Sequence, residues 1–265
     1  MPVCGTRAEA VRCLVYGCIL NKQFARSKMY ILTHIAKSDT EDIRIIALRG
    51  IFDLLLRYGI KTFSSLEEDP SMLSVLRPDL SMDVSYVRRD CILDDDNSQE
   101  NEQHEMQKIV LFLVDFLKAR NEALLEVVIE GLCKLMFVGH LVSPRILAHL
   151  LSFWFNSNYS SNANIIHSLS LFFEAYCRMS VERMDCVRQS FFPCLRLFFD
   201  ASDTSALASV PVERVVDTII SLCDTRCLPL DQSRPQPDSP TPHDQLAEEI
   251  LNKIFRDPHC TEVVR

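Results

Sequence analysis

Glycine is scarce in this chain, with only six residues in 265. A phosphate-cradling loop of the GxGxxG or P-loop kind needs a cluster of glycines, and none is present. Long uncharged apolar runs are also missing. None reaches about 18 residues, so no transmembrane helix is expected. The first twenty residues, MPVCGTRAEAVRCLVYGCIL, do not place a charged region, an apolar core and a cleavage site in signal-peptide order. Alternating strand patterns are few. HExxH, GxSxG and kinase-type signatures do not occur. Among eleven cysteines no CxxC pair exists. Cys223 and Cys227 form a lone CxxxC without the second pair that zinc requires.

What is present is apolar and helix-forming. Residues of the apolar class make up 48% of the chain, enough to bury one or two compact cores. Leu, Ile, Phe, Met and Ala dominate, and the periodicity predicts an all-α protein. Helical runs are expected over residues 7–20, 22–37, 41–58, 105–119, 121–138, 143–155, 161–178, 182–199, 209–223 and 243–256. Most connections are two to six residues, as between antiparallel helices. Cys13, Cys18, Cys133, Cys177, Cys186 and Cys194 fall inside these runs, where a free thiol acts as a small hydrophobe in a reducing compartment.

Two stretches break the pattern. Residues 62–104 are acidic, contain two prolines and hold no sustained period, so a largely disordered insertion is expected, with room for a short helix near Met72–Leu76. Residues 228–243 are proline-rich and form a loop, leaving 244–265 as a terminal helix and tail. Ser239-Pro240 and Thr241-Pro242 in that loop suit proline-directed phosphorylation, as well as the plainer role of a flexible linker.

Setting the insertion aside reveals a repeat. Val11-Arg12-x-x-Val15-x-x-x-Ile19 parallels Ile43-Arg44-x-x-Ala47-x-x-x-Ile51 and Leu124-Leu125-x-x-Val128-x-x-x-Leu132. The spacings are 32 and 81 residues, the second shrinking to 38 without the 43-residue insertion. Two-helix repeats of about 40 residues are the HEAT/armadillo pattern, so the expected fold is an α-solenoid of roughly four to five helix pairs. Residues 5–61 and 105–227 would form its two blocks. The first helix has the pattern of a second member of a pair, so the array is expected to continue, or to need a partner, at that end.

Arg44 shares a helical stripe with Leu48, Ile51 and Leu55, at the first turn of a buried face. A cation there opposes the helix dipole and needs a partner. Asp39 and Asp42 are the candidates, and Arg44 and Arg12 are read as structural ties between repeats. Arg49, Asp53 and Arg57, on the opposite face, read as ordinary surface pairing.

Nothing in the sequence assembles a catalytic constellation. His34, His140, His149 and His167 read as surface or core residues. Glu67-Glu68 and Asp94-Asp95-Asp96 lie in the acidic insertion, which cannot preorganise acid–base geometry. The aromatic stretches SFWFNSNY (152–159), SLFFEAY (170–176) and SFFPCLRLFF (190–199) read as repeat core, some of them also facing a partner. An enzyme or carrier would need a cavity with converging polar groups.

Charge is uneven. Net charge is −8 overall, but +5 over residues 1–61, −9 over 62–105 and −4 over the rest. The basic third suits a polyanionic partner as well as a solvated helix face. Lys22, Arg26 and Lys28, with Lys37 behind them, are the candidate cations for contact with such a partner.

The residues also carry a family resemblance. GLCKLMFVGHLVSPRILAHLLSFWFN (131–156), RAEAVRCLVYGCILNKQFARSKMYIL (7–32) and DIRIIALRGIFDLLLRYGIKTF (42–63) resemble the C-terminal region of the CAP-G family of condensin non-SMC subunits. The pattern rests on Glu130-Gly131-Leu132, Lys134 to Phe137, Gly139, Leu141 to Ser143 and Arg145 to Leu147, and the resemblance covers most of residues 5–223. It implies a non-catalytic HEAT-repeat subunit without cofactors or metal. It implies a kleisin partner and, through it, SMC subunits, together with double-stranded DNA held by a basic groove. No membrane partner is expected. It implies a role in mitotic chromosome condensation, in the nucleus and on mitotic chromosomes, with a cytoplasmic pool. The other reading is a HEAT-repeat adaptor that binds protein alone.

Overall fold

The computed structural model describes residues 3–63, 108–159, 162–202, 204–228 and 240–256. The acidic insertion, the possible helix near Met72–Leu76, most of the proline-rich loop including Ser239, and the last nine residues lie outside them. All regular structure among the described residues is helical. The chain divides into two compact units, Met1–Ser143 and Pro144–Arg265. The boundary falls at the Ser143-Pro144 helix start, inside the stretch 105–227 read from the sequence as one block.

In the first unit, α1 (Val3–Leu20), α2 (Lys22–Ser38) and α3 (Glu41–Tyr58) pack on one another. The helical residues 108–115 (α4) run into a 3-10 turn at Phe116–Lys118, and α5 (Glu122–Val138) packs against both that turn and α3. Asn21 and Asn121 start α2 and α5 by accepting from the amides of Phe24 and Leu124, each at 3.0 Å, which satisfies an orphan donor.

The repeat is visible here. Val11 and Val15, Ile43, Ala47 and Ile51, and Leu124, Val128 and Leu132 are all buried, in α1, α3 and α5 respectively. Two of the six glycines explain how closely those helices meet. A Cβ on Gly50 would lie 2.3 Å from a methyl of Val15, and one on Gly131 would lie 2.4 Å from the ring of Phe52. Glycine in a helix costs about 1 kcal/mol relative to alanine. Here it allows α1 onto α3 and α3 onto α5.

The second unit contains α6 (Pro144–Phe155), α7 (Ala163–Cys177), α8 (Val181–Gln189), α9 (Phe191–Phe199), α10 (Val212–Leu222) and α11 (Pro242–Arg256). α8 lies at its centre, touching α6, α7, α9, α10 and α11. The run 182–199, read as one helix, is two. Pro193 has no amide to donate to the carbonyl of Gln189, and its ring would clash there. The chain turns at buried Ser190, whose hydroxyl donates to the Val187 carbonyl at 2.6 Å.

Cys18, Cys133, Cys177, Cys186, Cys194 and Cys223 are buried free thiols, and Cys13 is exposed. Burial pushes Cys194 and Cys223 up to about 12, so both stay protonated and unreactive. Among the described residues, no helix is long and apolar enough to cross a membrane, and no cluster of His, Cys, Asp or Glu could hold a metal ion.

Candidate functional site

The basic candidates all lie on α2. Its buried stripe is Ala25, Met29, Leu32, Thr33 and Ala36, which recur at helical spacing against α1 and α3. A helix turns about 100° per residue. Lys22 and Arg26, four residues apart, therefore share one flank of that stripe, with Lys37 further along it. Lys28 is about 200° from Arg26 and belongs to the opposite flank. There its ammonium lies 5.7 Å from the Phe24 ring centroid, and that ring covers Gly17 of α1.

Lys37 differs from the other three. Its ammonium lies 5.5 Å from the ring centroid of Phe112 on α4. Desolvation lowers its pKa, while Asp115 opposes the shift. Its charge is thus partly matched by an acidic neighbour inside the protein. The four cations do not form one patch: Lys22 and Arg26 are the adjacent pair, Lys37 closes their flank next to a carboxylate, and Lys28 stands apart.

The expected pairing of Arg44 with Asp39 or Asp42 is not what forms. Arg44 Nε donates to the carbonyl of Ala36 at 2.8 Å, and its guanidinium lies 5.8 Å from the Phe116 centroid. The two helices are antiparallel, so the first turn of α3 lies beside the last turn of α2. The carbonyl end of one helix offsets the dipole cost at the start of the other.

Asp39 is instead the partner of Arg7 on α1, at 2.6 Å, with its carboxylate almost fully covered. It also accepts from the Thr40 amide at 2.7 Å. The aspartate does tie one repeat to the next, but through an arginine outside the repeat register. Arg12 is exposed and pairs with Glu9 on its own helix, and Asp42 is exposed. Neither ties repeats together. Two further ties were not foreseen. Asn121 donates to Glu41 at 2.7 Å, joining the starts of α5 and α3, and His140 Nε2 lies 3.1 Å from the carbonyl of Leu56.

Thr241 is the cap of α11. Its hydroxyl donates to Asp244 at 2.7 Å and accepts from the Asp244 amide at 3.2 Å, while its own amide donates back to that carboxylate at 2.9 Å. This capping box holds Asp244 below the usual carboxylate range. A phosphate on Thr241 would replace the cap and meet the Asp244 charge.

The second unit contains a groove that sequence reading missed. It has a volume of about 680 Å3 and lies between α6, α7 and α10. Trp154, Glu174, Arg178, Glu213, Arg214 and Asp217 are among its lining residues. Trp154 is held in place: its ring stacks on Phe173 at 5.1 Å and 14°, and its Nε1 donates to Ser170 Oγ at 3.0 Å. Arg178 pairs with Glu174 at 3.0 Å, and the Arg214 guanidinium lies 5.8 Å from the Phe155 centroid. Cys177 also lines the groove, but no histidine does, so a Cys–His nucleophile pair is not available there. The aromatic signal was legible at residues 152–159. The groove was not, because its walls come from segments about 60 residues apart.

Three comparisons bear on this architecture. A family described as nuclear condensing complex subunits, C-terminal domain, has a model that matches residues 5–265. Human condensin complex subunit 3 is 31% identical over 261 residues, covering 97% of this chain and 24% of that protein. Condensin complex subunit 3 of Xenopus laevis is 28% identical over 262 residues, with 97% and 25% covered. The chain thus spans about a quarter of the length of both relatives. In the crystal structure of the S. pombe condensin Cnd3–Cnd2 subcomplex, one chain superposes with a TM-score of 0.64 at 17% identity, over 94% of this chain and 28% of that one. The two share a helical-repeat fold.

Proposed function

This chain belongs to the nuclear condensing complex subunits, C-terminal domain family, and from that premise we propose that it acts in condensin as a non-catalytic regulatory subunit or part of one. The observation that carries this reading is the family match over residues 5–265. In its proposed role the chain binds the kleisin subunit and, with it, duplex DNA. Condensin's SMC subunits are reached through the kleisin, and the place of action is the nucleus and the mitotic chromosome. The Cnd3–Cnd2 subcomplex, a fold neighbour, supports the kleisin partner.

DNA contact is assigned to the flank of α2 that carries Lys22 and Arg26, with Lys37 contributing less because Asp115 faces it. The support is the +5 balance of residues 1–61 and the shared flank. Ammonium and guanidinium groups there would meet phosphates without reading sequence, so binding would fall steeply with salt. The net charge of −8 fits a second reading equally well, a helical-repeat adaptor that binds protein and no nucleic acid. Phosphorylation of Ser239, or of Thr241 at the start of α11, would add charge and regulate either activity.

The test is a binding titration of the chain against its intact kleisin. A saturable one-to-one complex is the expected outcome. No complex, at concentrations where both proteins are folded, would remove the proposal.

A further inference from the structure

We propose that the groove between α6, α7 and α10 receives an extended segment of the protein partner, one in which an apolar side chain is followed closely by a lysine or arginine. This deepens the kleisin-binding reading and rests on it. The groove has the size of a ligand pocket, which is roughly 300–1,000 Å3. It also has one strong anchor. Trp154 is fixed by its stack on Phe173 and by its hydrogen bond to Ser170, so little side-chain freedom remains to be lost on binding.

The charges on the wall select the partner. The carboxylate of Glu174 is already matched by Arg178. Glu213 and Asp217 sit one turn apart on α10, both exposed. Between them on the same helix stands Arg214, whose guanidinium lies against Phe155. That leaves a pair of carboxylates able to hold one incoming cation. Thr218 and Ser221 donate their hydroxyl protons to the carbonyls of Arg214 and Asp217, both at 2.8 Å. Their oxygens keep lone pairs for the amides of an extended backbone. A nucleic acid is a poor occupant, since its phosphates would meet the Glu213 and Asp217 carboxylates. A peptide with a cation beside an apolar residue satisfies both the aromatic anchor and the rim.

The test uses short overlapping peptides that together cover the kleisin, each titrated against the full chain. Peptides pairing Lys or Arg with an aliphatic or aromatic neighbour should bind. The double variant Glu213→Lys/Asp217→Lys should weaken them about tenfold or more, and Trp154→Ala should do the same. Both substituted carboxylates are exposed, so the double variant should keep its fold. Glu248→Lys, exposed on α11 and outside the groove, should change nothing. If the bound peptides are indifferent to Glu213→Lys/Asp217→Lys, or if the intact kleisin binds and none of its peptides does, the groove assignment is overturned while the partner stands. If neither the peptides nor the intact kleisin bind, the partner reading itself is lost.

Discussion

The two units hold their helices together by opposite means. The first places glycine where helices cross: Gly50 takes Val15, and Gly131 takes Phe52. The second, residues 144–265, contains no glycine. Its helices meet through rings instead, with Trp154 on Phe173 and Phe155 on Phe198 at 6.3 Å. Polar ties differ in the same way. In the first unit Arg7, which holds Asp39, is largely in water, with 62% of its side chain exposed. In the second, Arg188 is 9% exposed and holds both Asp185, at 2.7 Å, and Glu249, which pins α11 to α8. Helices thus meet through a missing side chain in one unit and through large rings in the other. The aromatic solution has the added effect of lining a groove.

The largest effect is expected from removing a ring. Phe173→Ala deletes a fully buried side chain and the stacking partner of Trp154, and should cost about 3–5 kcal/mol in denaturant titration. A cost below about 1 kcal/mol would show that the rings are not what holds the second unit.

Adding one methyl tests the other unit. Gly131→Ala gains about 1 kcal/mol of helix propensity. It also forces the buried Phe52 ring to move, at about 1–3 kcal/mol. A net loss is expected, and Phe52→Leu in the same chain should recover part of it. A stabilised Gly131→Ala would break the contrast.

The smallest effects compare two glutamates of equal exposure, 44% each. Glu249 faces buried Arg188, whereas Glu130 faces Lys134, itself 56% exposed. Glu249→Ala should cost about 1–2 kcal/mol. Glu130→Ala should cost under about 0.5 kcal/mol. Equal costs would mean that the burial of the cation is immaterial.

Much of the fold was legible because short-range rules decide it. The start of the helical run at Ser143 and the recurrence of Val15, Ala47 and Val128 depend on near neighbours and helical period. The break at Ser190 was legible in principle, since Pro193 is in the sequence, but the apolar run around it hid the lost hydrogen bond. The site was less legible. Lys22 and Arg26 follow from i, i+4 spacing, and the turn of the helix puts Lys28 on the other flank. Asp39 was identified as a tie. Its partner Arg7 lies outside the repeat register, so no periodic argument could select it. The groove required three helices to be placed in space, which sequence pattern does not supply.

The most direct test of the central claim is the salt dependence of duplex DNA binding by the chain in complex with its kleisin, with and without Lys22→Glu/Arg26→Glu. Each phosphate contact contributes about 0.9 to the slope of log K against log salt. The double variant should therefore make this negative slope shallower by about 2 and weaken low-salt affinity, while leaving kleisin affinity unchanged. An unaltered slope and affinity would contradict a DNA role for α2 and leave the protein-only adaptor.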